Sequence, residues 1–389
     1  MILNRRALLA GVGAASVWAA AGPRLVLADA PTDKRLVVVI LRGAMDGLSA
    51  LPPIGDPSYR GLRGELAIEQ PIDLDGSFGL HPALAPIAPW FGEGALLPVH
   101  AVATPYRDRS HFDAQDLLEN GTPAPHGSTS GWLNRALASF RSGQTPQGLA
   151  VGQVVPLVLR GDVAVTTWSP SVLPGAEPDL LARLEVMYAA DPLFMRSLDE
   201  AIATSGMAGD GGIATGGARQ QARQAVRTAA TMLAAADGPR IAVLESTGWD
   251  THANQGADTG RLGTALAGLA DSLALFRDSI GTAWRQTALV VVTEFGRTAL
   301  PNGTGGTDHG TAGAALLAGG AIAGGRVLAD WPGLAAGQLH EGRDLTPTLD
   351  LRAVLKALLR DHLGLDEGSL ETAVFPDSAA IRPLDGLIG

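Results

Sequence analysis

The sequence predicts an α/β fold, a three-layer α/β/α sandwich with a mostly parallel central sheet. Short apolar runs rich in β-branched residues, typical of buried parallel strands, alternate with helical segments along the chain. Acidic and histidine side chains beside glycines follow several of these runs directly. Ligands of open α/β sheets gather beyond the carboxyl ends of strands, so the same pattern predicts a site at one edge of the sheet.

The first half of the chain is predicted to contain four strands and one long helix. Residues 34–41 form a continuous apolar run and give the first strand, and residues 96–102 give the second. Residues 148–166 are expected to hold two short strands, with Arg160-Gly161-Asp162 as a hairpin turn between them. Residues 177–202 are predicted to be largely helical.

Predicted helices and strands alternate more regularly in the second half of the chain. Residues 203–217 are rich in glycine, alanine and serine and predict a flexible connection, either a lobe boundary or a surface loop. Beyond it we expect helices at residues 218–236, 258–280 and 348–363, with Asp350 in the first turn of the last one. Strands are predicted at residues 240–245 and 287–293, with a further short one within 314–317.

The first 30 residues are predicted to be a twin-arginine signal peptide, which leaves residues 31–389 as one domain. Arg5 and Arg6 precede an apolar stretch, and Ala28-Asp29-Ala30 is a small-x-small cleavage site. The stretch is short against the roughly 20 residues of a membrane span, so no stable span is expected after cleavage; an uncleaved anchor is the alternative. We therefore expect a periplasmic or secreted protein whose partner during export is the twin-arginine translocase.

The composition excludes some classes of function. The 389-residue chain has a formal net charge of −10 at pH 7, so nucleic acid is not an expected partner. It contains no cysteine, so an exported form must depend on its core, and on bound metal if there is any. With 50 glycines and 25 prolines, many loops are expected.

Two acidic residues directly follow predicted strands. Asp46 lies in a glycine-flanked turn after the first strand and is either a site carboxylate or a turn former. Glu294 ends a nearly all-apolar strand, where an unpaired carboxylate is costly. Either Arg297 pairs with Glu294, or a metal ion binds it. Arg297 is also a candidate to hold an anionic substrate through two hydrogen bonds.

Two Asp and His pairs offer metal ligands. Asp250 and His252 are one residue apart, so an extended backbone would point both the same way, although both are also plausible helix caps. Asp308 and His309 lie in a glycine-rich loop that can fold tightly around an ion. Oxygen and imidazole ligands together suit Zn²⁺ or Mn²⁺. Among the other histidines, His81 is the best reserve candidate.

Ser110 is the candidate nucleophile. It precedes a predicted helical stretch at residues 114–118, where free backbone N–H groups favour a developing negative charge. The alternative role of Ser110 is a helix N-cap. Its neighbours Arg109 and His111 strengthen the catalytic interpretation, with Arg109 able to neutralise an anionic substrate.

The chain resembles a bacterial family, the domain of unknown function numbered 1501, over nearly its whole length beyond the signal segment. The resemblance rests on the twin-arginine segment and on five motifs: Leu41-Arg42-Gly43-Ala44-Met45-Asp46-Gly47-Leu48, Arg109-Ser110-His111-Phe112, Gly248-Trp249-Asp250-Thr251-His252, Glu294-Phe295-Gly296-Arg297-Thr298 and Gly306-Thr307-Asp308-His309-Gly310. That family is similar to the alkaline phosphatase and sulfatase superfamily. The resemblance implies a sheet between helices, two metal sites and a Ser, Thr or formylglycine nucleophile.

Residue by residue, the resemblance implies that Asp46 is the acid after the first strand and Ser110 the nucleophile. It implies that Asp250 and His252 bind one metal, that His309 is the late histidine ligand, and that Glu294 replaces the acid of the usual Asp-His pair. Phe295 follows that acid where the superfamily has histidine, so one ligand is missing. A formylglycine derived from cysteine is impossible in a chain without cysteine.

The function expected from these residues is metal-dependent hydrolysis of a phosphate or related ester outside the cytoplasm. The cofactor would be a divalent metal, Zn, Mn, Mg or Ca, and the substrate an anionic small-molecule or polymer ester. The alternative is a non-catalytic exported binding or assembly protein that retains the fold. The expected metal ligands are Asp46, Asp250, His252, Glu294, Asp308 and His309, and the expected catalytic residues are Ser110, Arg297, His111 and Arg109.

Overall fold

The centre of the molecule is an eight-stranded sheet. We describe it from a computed structural model that covers residues 32–140, 147–170, 178–208 and 217–389. The predicted signal segment and residues 209–216 of the predicted connection lie outside this described part. The strands are β1 (Arg35–Arg42), β2 (Ile72–Asp73), β3 (Gly79–Leu80), β4 (Leu96–Ala103), β5 (Gly148–Val151), β6 (Thr166–Trp168), β7 (Ile241–Thr247), β8 (Thr287–Thr293), β9 (Gly313–Ala318) and β10 (Leu349–Asp350).

The sheet is mostly parallel, as predicted. Its order is β10-β4-β9-β8-β1-β7-β5-β6, and β2 and β3 form a separate antiparallel pair. Only β9 runs antiparallel to its neighbours β4 and β8. The carboxyl ends of β8, β1 and β7 therefore lie side by side at the middle of one edge, which is where the sequence places its acidic and histidine residues.

Helices cover both faces of the sheet. Their bounds are α1 (Gly47–Ala50), α2 (Tyr59–Arg63), α3 (Pro89–Gly92), α4 (His111–Asn120), α5 (Trp132–Ala138), α6 (Pro178–Tyr188), α7 (Pro192–Ala208), α8 (Ala218–Ala234), α9 (Arg261–Ile280), α10 (Leu351–Ala357) and α11 (Glu367–Ser369). Successive residues of a strand point to opposite faces. Val37 and Val39 of β1 accordingly pack in the core with α8 and α9, whereas Leu36 and Val38 pack in the core with α5 and α10. The three-layer prediction is confirmed.

The hairpin predicted within residues 148–166 was wrong. Residues 148–166 do not form a hairpin, because β5 and β6 are parallel and a short 3₁₀ helix at Leu157–Leu159 lies between them. Parallel strands cannot be joined by a tight turn. The segment predicted to be largely helical at residues 177–202 is helical over most of its described part, as two helices, α6 and α7. They are separated before Pro192, whose ring and missing N–H disfavour a continuous helix.

The last predicted helix is also divided. Asp350 is the N-cap of α10 rather than a residue of its first turn, and its side chain accepts a hydrogen bond from Arg352 N at 2.8 Å. A π-helical turn at Leu358–His362 follows α10. Within the described part of the chain, no helix is both long and apolar enough to cross a membrane.

His100 is buried in a neutral form, which predicts acid sensitivity. Its Nδ1 accepts from Ala101 N at 2.8 Å and its Nε2 donates to Leu51 O at 3.0 Å, so protonation of Nδ1 would break a hydrogen bond. Burial lowers the pKa of His100 to about 4. In the unfolded chain His100 has the ordinary histidine pKa of about 6.5, so it binds a proton more readily there than in the folded protein. We therefore expect protonation of His100 to lower the free energy of unfolding by on the order of 2 kcal/mol from pH 7 to pH 5.

Urea titrations at both pH values test this. His100→Gln should be less stable than the wild type at pH 7 but should lose less stability on acidification. An equal loss in both proteins would contradict the prediction.

Candidate metal centre

Three histidine rings converge at the edge of the sheet. His309 Nε2 lies 3.0 Å from His111 Nε2 and 2.9 Å from His252 Nε2. His111 is the first residue of α4, whereas His252 and His309 belong to loops that follow β7 and β8. Three segments far apart in the sequence thus bring three imidazole nitrogens to one place.

Asp250 completes what we call the four-residue centre, formed by His111, Asp250, His252 and His309. Asp250 Oδ1 lies 3.1 Å from His252 Nε2 and 3.6 Å from His309 Nε2, and Oδ2 lies 3.6 Å from His111 Nε2. Ligand atoms of His111, Asp250 and His309 are mutually within 4.8 Å, which is close enough to hold one metal ion. His252 Nε2 contacts two members of this group, at 2.9 Å from His309 Nε2 and 3.1 Å from Asp250 Oδ1.

The other nitrogen of each ring has an acceptor. His111 Nδ1 lies 2.8 Å from Glu294 Oε1, His252 Nδ1 lies 3.0 Å from Asp308 Oδ1, and His309 Nδ1 lies 2.9 Å from the Arg109 carbonyl oxygen. An acceptor at Nδ1 keeps the proton there and leaves the Nε2 lone pair free to bind a metal. The donor set of three imidazoles and a carboxylate fits Zn²⁺ or Mn²⁺.

Glu294 contacts the Nδ1 atom of His111. It is buried and accepts hydrogen bonds from Gly43 N at 2.8 Å, Gln115 Nε2 at 2.9 Å and Thr293 Oγ1 at 2.8 Å. Burial raises the pKa of Glu294, but these donors and His111 outweigh it and bring the pKa to about 2. The hydrogen bond to Glu294 in turn raises the pKa of His111, which makes its ring a stronger base.

Arg297 pairs with Asp250 rather than with Glu294. Its buried guanidinium donates from Nη1 to Asp250 Oδ1 at 2.6 Å and from Nε to Thr307 Oγ1 at 3.1 Å. Burial raises the pKa of Asp250, but the hydrogen bond and charge of Arg297 outweigh it, so the pKa is lowered. Asp250 therefore stays ionised next to the three rings.

Glycine at position 43 is required by this packing. Its φ is +120°, and a Cβ atom there would lie 2.5 Å from Asp250 N. Any other residue would force the strand end of β1 away from the segment that carries Asp250.

Asp46 lies in a separate buried network. Its carboxylate pairs with Arg63, accepts from Gln255 Nε2 at 2.6 Å and Ser49 Oγ at 3.1 Å, and caps α1 through Leu48 N at 3.1 Å. Burial raises the pKa of Asp46, but Arg63 and the hydrogen bonds outweigh it and lower the pKa. The reserve candidate His81 is likewise bound by backbone groups, Ala83 N at 3.0 Å and Ala257 O at 2.8 Å.

Asp46→Ala is expected to destabilise the protein by about 3–5 kcal/mol, because it leaves the buried Arg63 guanidinium without its carboxylate. Metal content of the folded protein should be unchanged, since Asp46 is held by Arg63 and Gln255 rather than by the four-residue centre. Denaturant unfolding and metal analysis measure the two effects. The double variant with Arg63→Met should regain part of the lost stability. Loss of metal from folded Asp46→Ala would instead make Asp46 a ligand.

Ser110 and Arg109 precede His111 directly. Ser110 is half-buried and occupies the N-cap position of α4, but its side chain makes no capping hydrogen bond. Its backbone N–H donates to Tyr106 Oη at 3.2 Å. The Arg109 side chain binds Asp344 and Glu341, and its carbonyl oxygen faces His309.

Several residues of the site were not among the candidates. Gln115 lies in the predicted helical stretch, which in the structure begins at His111. The i to i+4 spacing of His111 and Gln115 could have indicated a shared face had the predicted stretch been extended to His111. Arg63 and Asp344 carry no comparable signal, because each meets its partner only through long-range folding. Thr307 meets Arg297 across the loop between the two motifs that contain them.

Fold and site together define a three-layer α/β protein with a candidate metal centre at the carboxyl ends of its central strands. The family model described as protein of unknown function, DUF1501, matches residues 85–374. The chain therefore belongs to this family. No curated protein matches it.

Solved structures with a distant likeness include three proteins. The lipoteichoic acid synthase LtaP from Listeria monocytogenes matches with a TM-score of 0.39 and 10% identity, over 91% of this chain and 78% of its own. Ps i-CgsB in complex with k-i-k-neocarrahexaose matches with a TM-score of 0.44 and 9% identity, over 90% of this chain and 78% of its own. The C-terminal periplasmic domain of EcEptC from Escherichia coli, in complex with Zn, matches with a TM-score of 0.34 and 10% identity, over 75% of each chain. These likenesses are too distant to assign an activity.

Proposed function

We propose that this protein is an exported metal-dependent hydrolase of phosphate or related esters, and that the four-residue centre holds the metal. The observation that carries the proposal is the approach of His111 Nε2 and His252 Nε2 to His309 Nε2 beside the Asp250 carboxylate, with an acceptor at each Nδ1. Rings held only for structure have no need of this arrangement.

The donor set favours Zn²⁺ or Mn²⁺ over Mg²⁺ or Ca²⁺. The two latter ions prefer oxygen ligands, whereas three of the four donors here are imidazole nitrogens. The side chains of Asp250 and His252 are 41% and 44% exposed, so a substrate can reach the centre from solvent. A bound ion would act as a Lewis acid toward an ester oxygen.

Residues of the chain supply the remaining functions. The Ser110 oxygen would form a bond to phosphorus as the bond between phosphorus and the ester oxygen breaks. The serine proton would pass to solvent, and the leaving oxygen would take a proton from solvent to depart as the alcohol. Water would then attack phosphorus and break its bond to the Ser110 oxygen, which regains a proton as phosphate is released. The N-terminal end of α4 favours the negative charge of the ester. Arg343 is 40% exposed and donates a hydrogen bond to His309 O at 3.0 Å, so it could bind an anionic substrate. Arg297 instead pairs with Asp250.

A non-catalytic binding or assembly protein is the second candidate. One observation favours it: His252 Nε2 lies 2.9 Å from His309 Nε2, and with His252 as a fourth ligand a tetrahedral zinc site would be filled, as in structural zinc centres. A hydrolase must instead leave or open a position for substrate.

Metal analysis combined with a substrate panel separates the two. The purified protein, before and after chelation and reconstitution with Zn²⁺ or Mn²⁺, is offered phosphomonoesters, phosphodiesters and sulfate esters. Turnover that disappears on chelation and returns with metal supports the hydrolase. Bound metal without turnover on any ester favours the binding protein, and absence of both metal and turnover removes the hydrolase proposal and leaves the binding protein.

Export by the twin-arginine route predicts dependence on Arg5 and Arg6, which precede the apolar stretch and the Ala28-Asp29-Ala30 site. Replacing both arginines by lysine should leave unprocessed protein in the cytoplasm. Cell fractionation and immunoblotting measure this. Undiminished processed protein in the periplasm would argue against this route.

A further inference from the structure

Asp344 is a buried carboxylate with an incomplete set of partners. Its side chain is fully buried, and Oδ2 accepts from Arg109 Nε at 2.9 Å and Nη2 at 2.8 Å. Oδ1 has no hydrogen-bond partner, and Arg343 Nη1 lies 3.4 Å away. A buried, half-satisfied carboxylate costs folding free energy, so its presence calls for a compensating role.

The partner of Asp344 is Arg109, which has an unfavourable backbone conformation. Its φ is +60°, in the left-handed region that is unfavourable for residues other than glycine. The guanidinium is held between buried Asp344 and exposed Glu341, at 2.6 Å from the latter. In this conformation the Arg109 carbonyl oxygen lies 2.9 Å from His309 Nδ1.

The segment that carries Asp344 is well anchored. Asp344 N donates to His340 O at 3.0 Å and His340 N donates to Asp344 O at 2.9 Å, which closes a tight loop. The same loop contacts the centre, because Arg343 Nη2 donates to His309 O at 3.0 Å. Asp344 is thus a fixed point relative to His309.

We propose that Asp344 is a positioning residue for the metal centre. By holding Arg109 in its strained conformation, Asp344 keeps the Arg109 carbonyl on His309 Nδ1 and so keeps His309 Nε2 directed at the other ligands. His111 and His252 are oriented by carboxylates, whereas His309 is oriented by a main-chain carbonyl, which only the backbone of Arg109 can place. The inference rests on the proposed function for its metal.

Zinc affinity of the full-length protein, measured by chelator competition, is the first test. Asp344→Asn should bind Zn²⁺ roughly 10–100-fold more weakly than the wild type, as for other residues that orient ligands. Arg109→Ala, which removes the same link without a change in the buried carboxylate, should give a similar loss, and the double variant should add little. Glu341→Gln is the matched control: it contacts the same guanidinium from solvent and should change the affinity less than about twofold.

A metal-free measurement keeps this inference separate from the proposed function. In protein labelled with ¹⁵N-histidine and stripped of metal, NMR should show His309 protonated at Nδ1 in the wild type and in Glu341→Gln. Asp344→Asn and Arg109→Ala should show a mixture of tautomers. If the wild type fails to bind zinc while the tautomer changes as expected, the proposed function falls and the positioning role stands. Unchanged tautomer and unchanged affinity in both variants would overturn the positioning role.

Discussion

Replacing His309 by alanine is expected to remove the bound metal and all metal-dependent turnover together. His309 Nε2 is the common neighbour of His111 Nε2 and His252 Nε2, at 3.0 and 2.9 Å, so its loss removes the middle of the ligand set. A carboxylate and the two remaining imidazoles bind zinc much more weakly than the complete set. Metal stoichiometry of the purified variant, together with its ester hydrolysis rate, measures the effect.

His126→Ala is the control for this experiment. His126 is also a histidine beside carboxylates, 3.2 Å from Asp113, but it is 72% exposed and lies outside the four-residue centre. We expect the control to keep its metal and its turnover. A His309→Ala protein that retains a full equivalent of metal would mean that the ion binds elsewhere.

The sheet could be predicted in some detail because its strands are buried on both faces. Burial on both faces requires continuous apolar runs, and β1, β8 and β9 lie within a residue of the runs that predicted them. The pairing of β5 and β6 could not be predicted, because the short strands of β5 and β6 have no signal that separates a hairpin from a parallel pair. Strand order depends on long-range contacts that no local pattern records.

The membership of the site was predictable where a motif directly follows a strand. Asp250 and His252 follow β7, and the loop with His309 folds back onto them, so the strand-end rule brings them together. The rule says nothing about which atoms meet. Asp46 follows β1 and Glu294 follows β8, so the sequence gives no reason to distinguish the two acids. In the structure Glu294 contacts His111, whereas Asp46 pairs with Arg63. The difference arises from Arg63, which reaches Asp46 only after α2 has packed.

Replacing Ser110 by alanine is expected to reduce turnover by at least about a thousandfold if Ser110 is the nucleophile, because the atom that attacks phosphorus is lost. Metal content should stay at the wild-type level, since the proposed ligands in the four-residue centre are three imidazoles and Asp250. Stability should change little. Loss of a working N-cap costs about 1 kcal/mol, but the Ser110 side chain makes no capping hydrogen bond.

Ser58 provides the matched control, because it occupies the N-cap position of α2 and also makes no side-chain capping hydrogen bond. Ser58→Ala should match Ser110→Ala in melting temperature and metal content while keeping wild-type turnover. Equal turnover in both variants would exclude Ser110 as the nucleophile. Hydrolysis would then have to proceed by direct attack of water, which requires only the metal centre and would leave His309 as the residue whose loss stops the reaction.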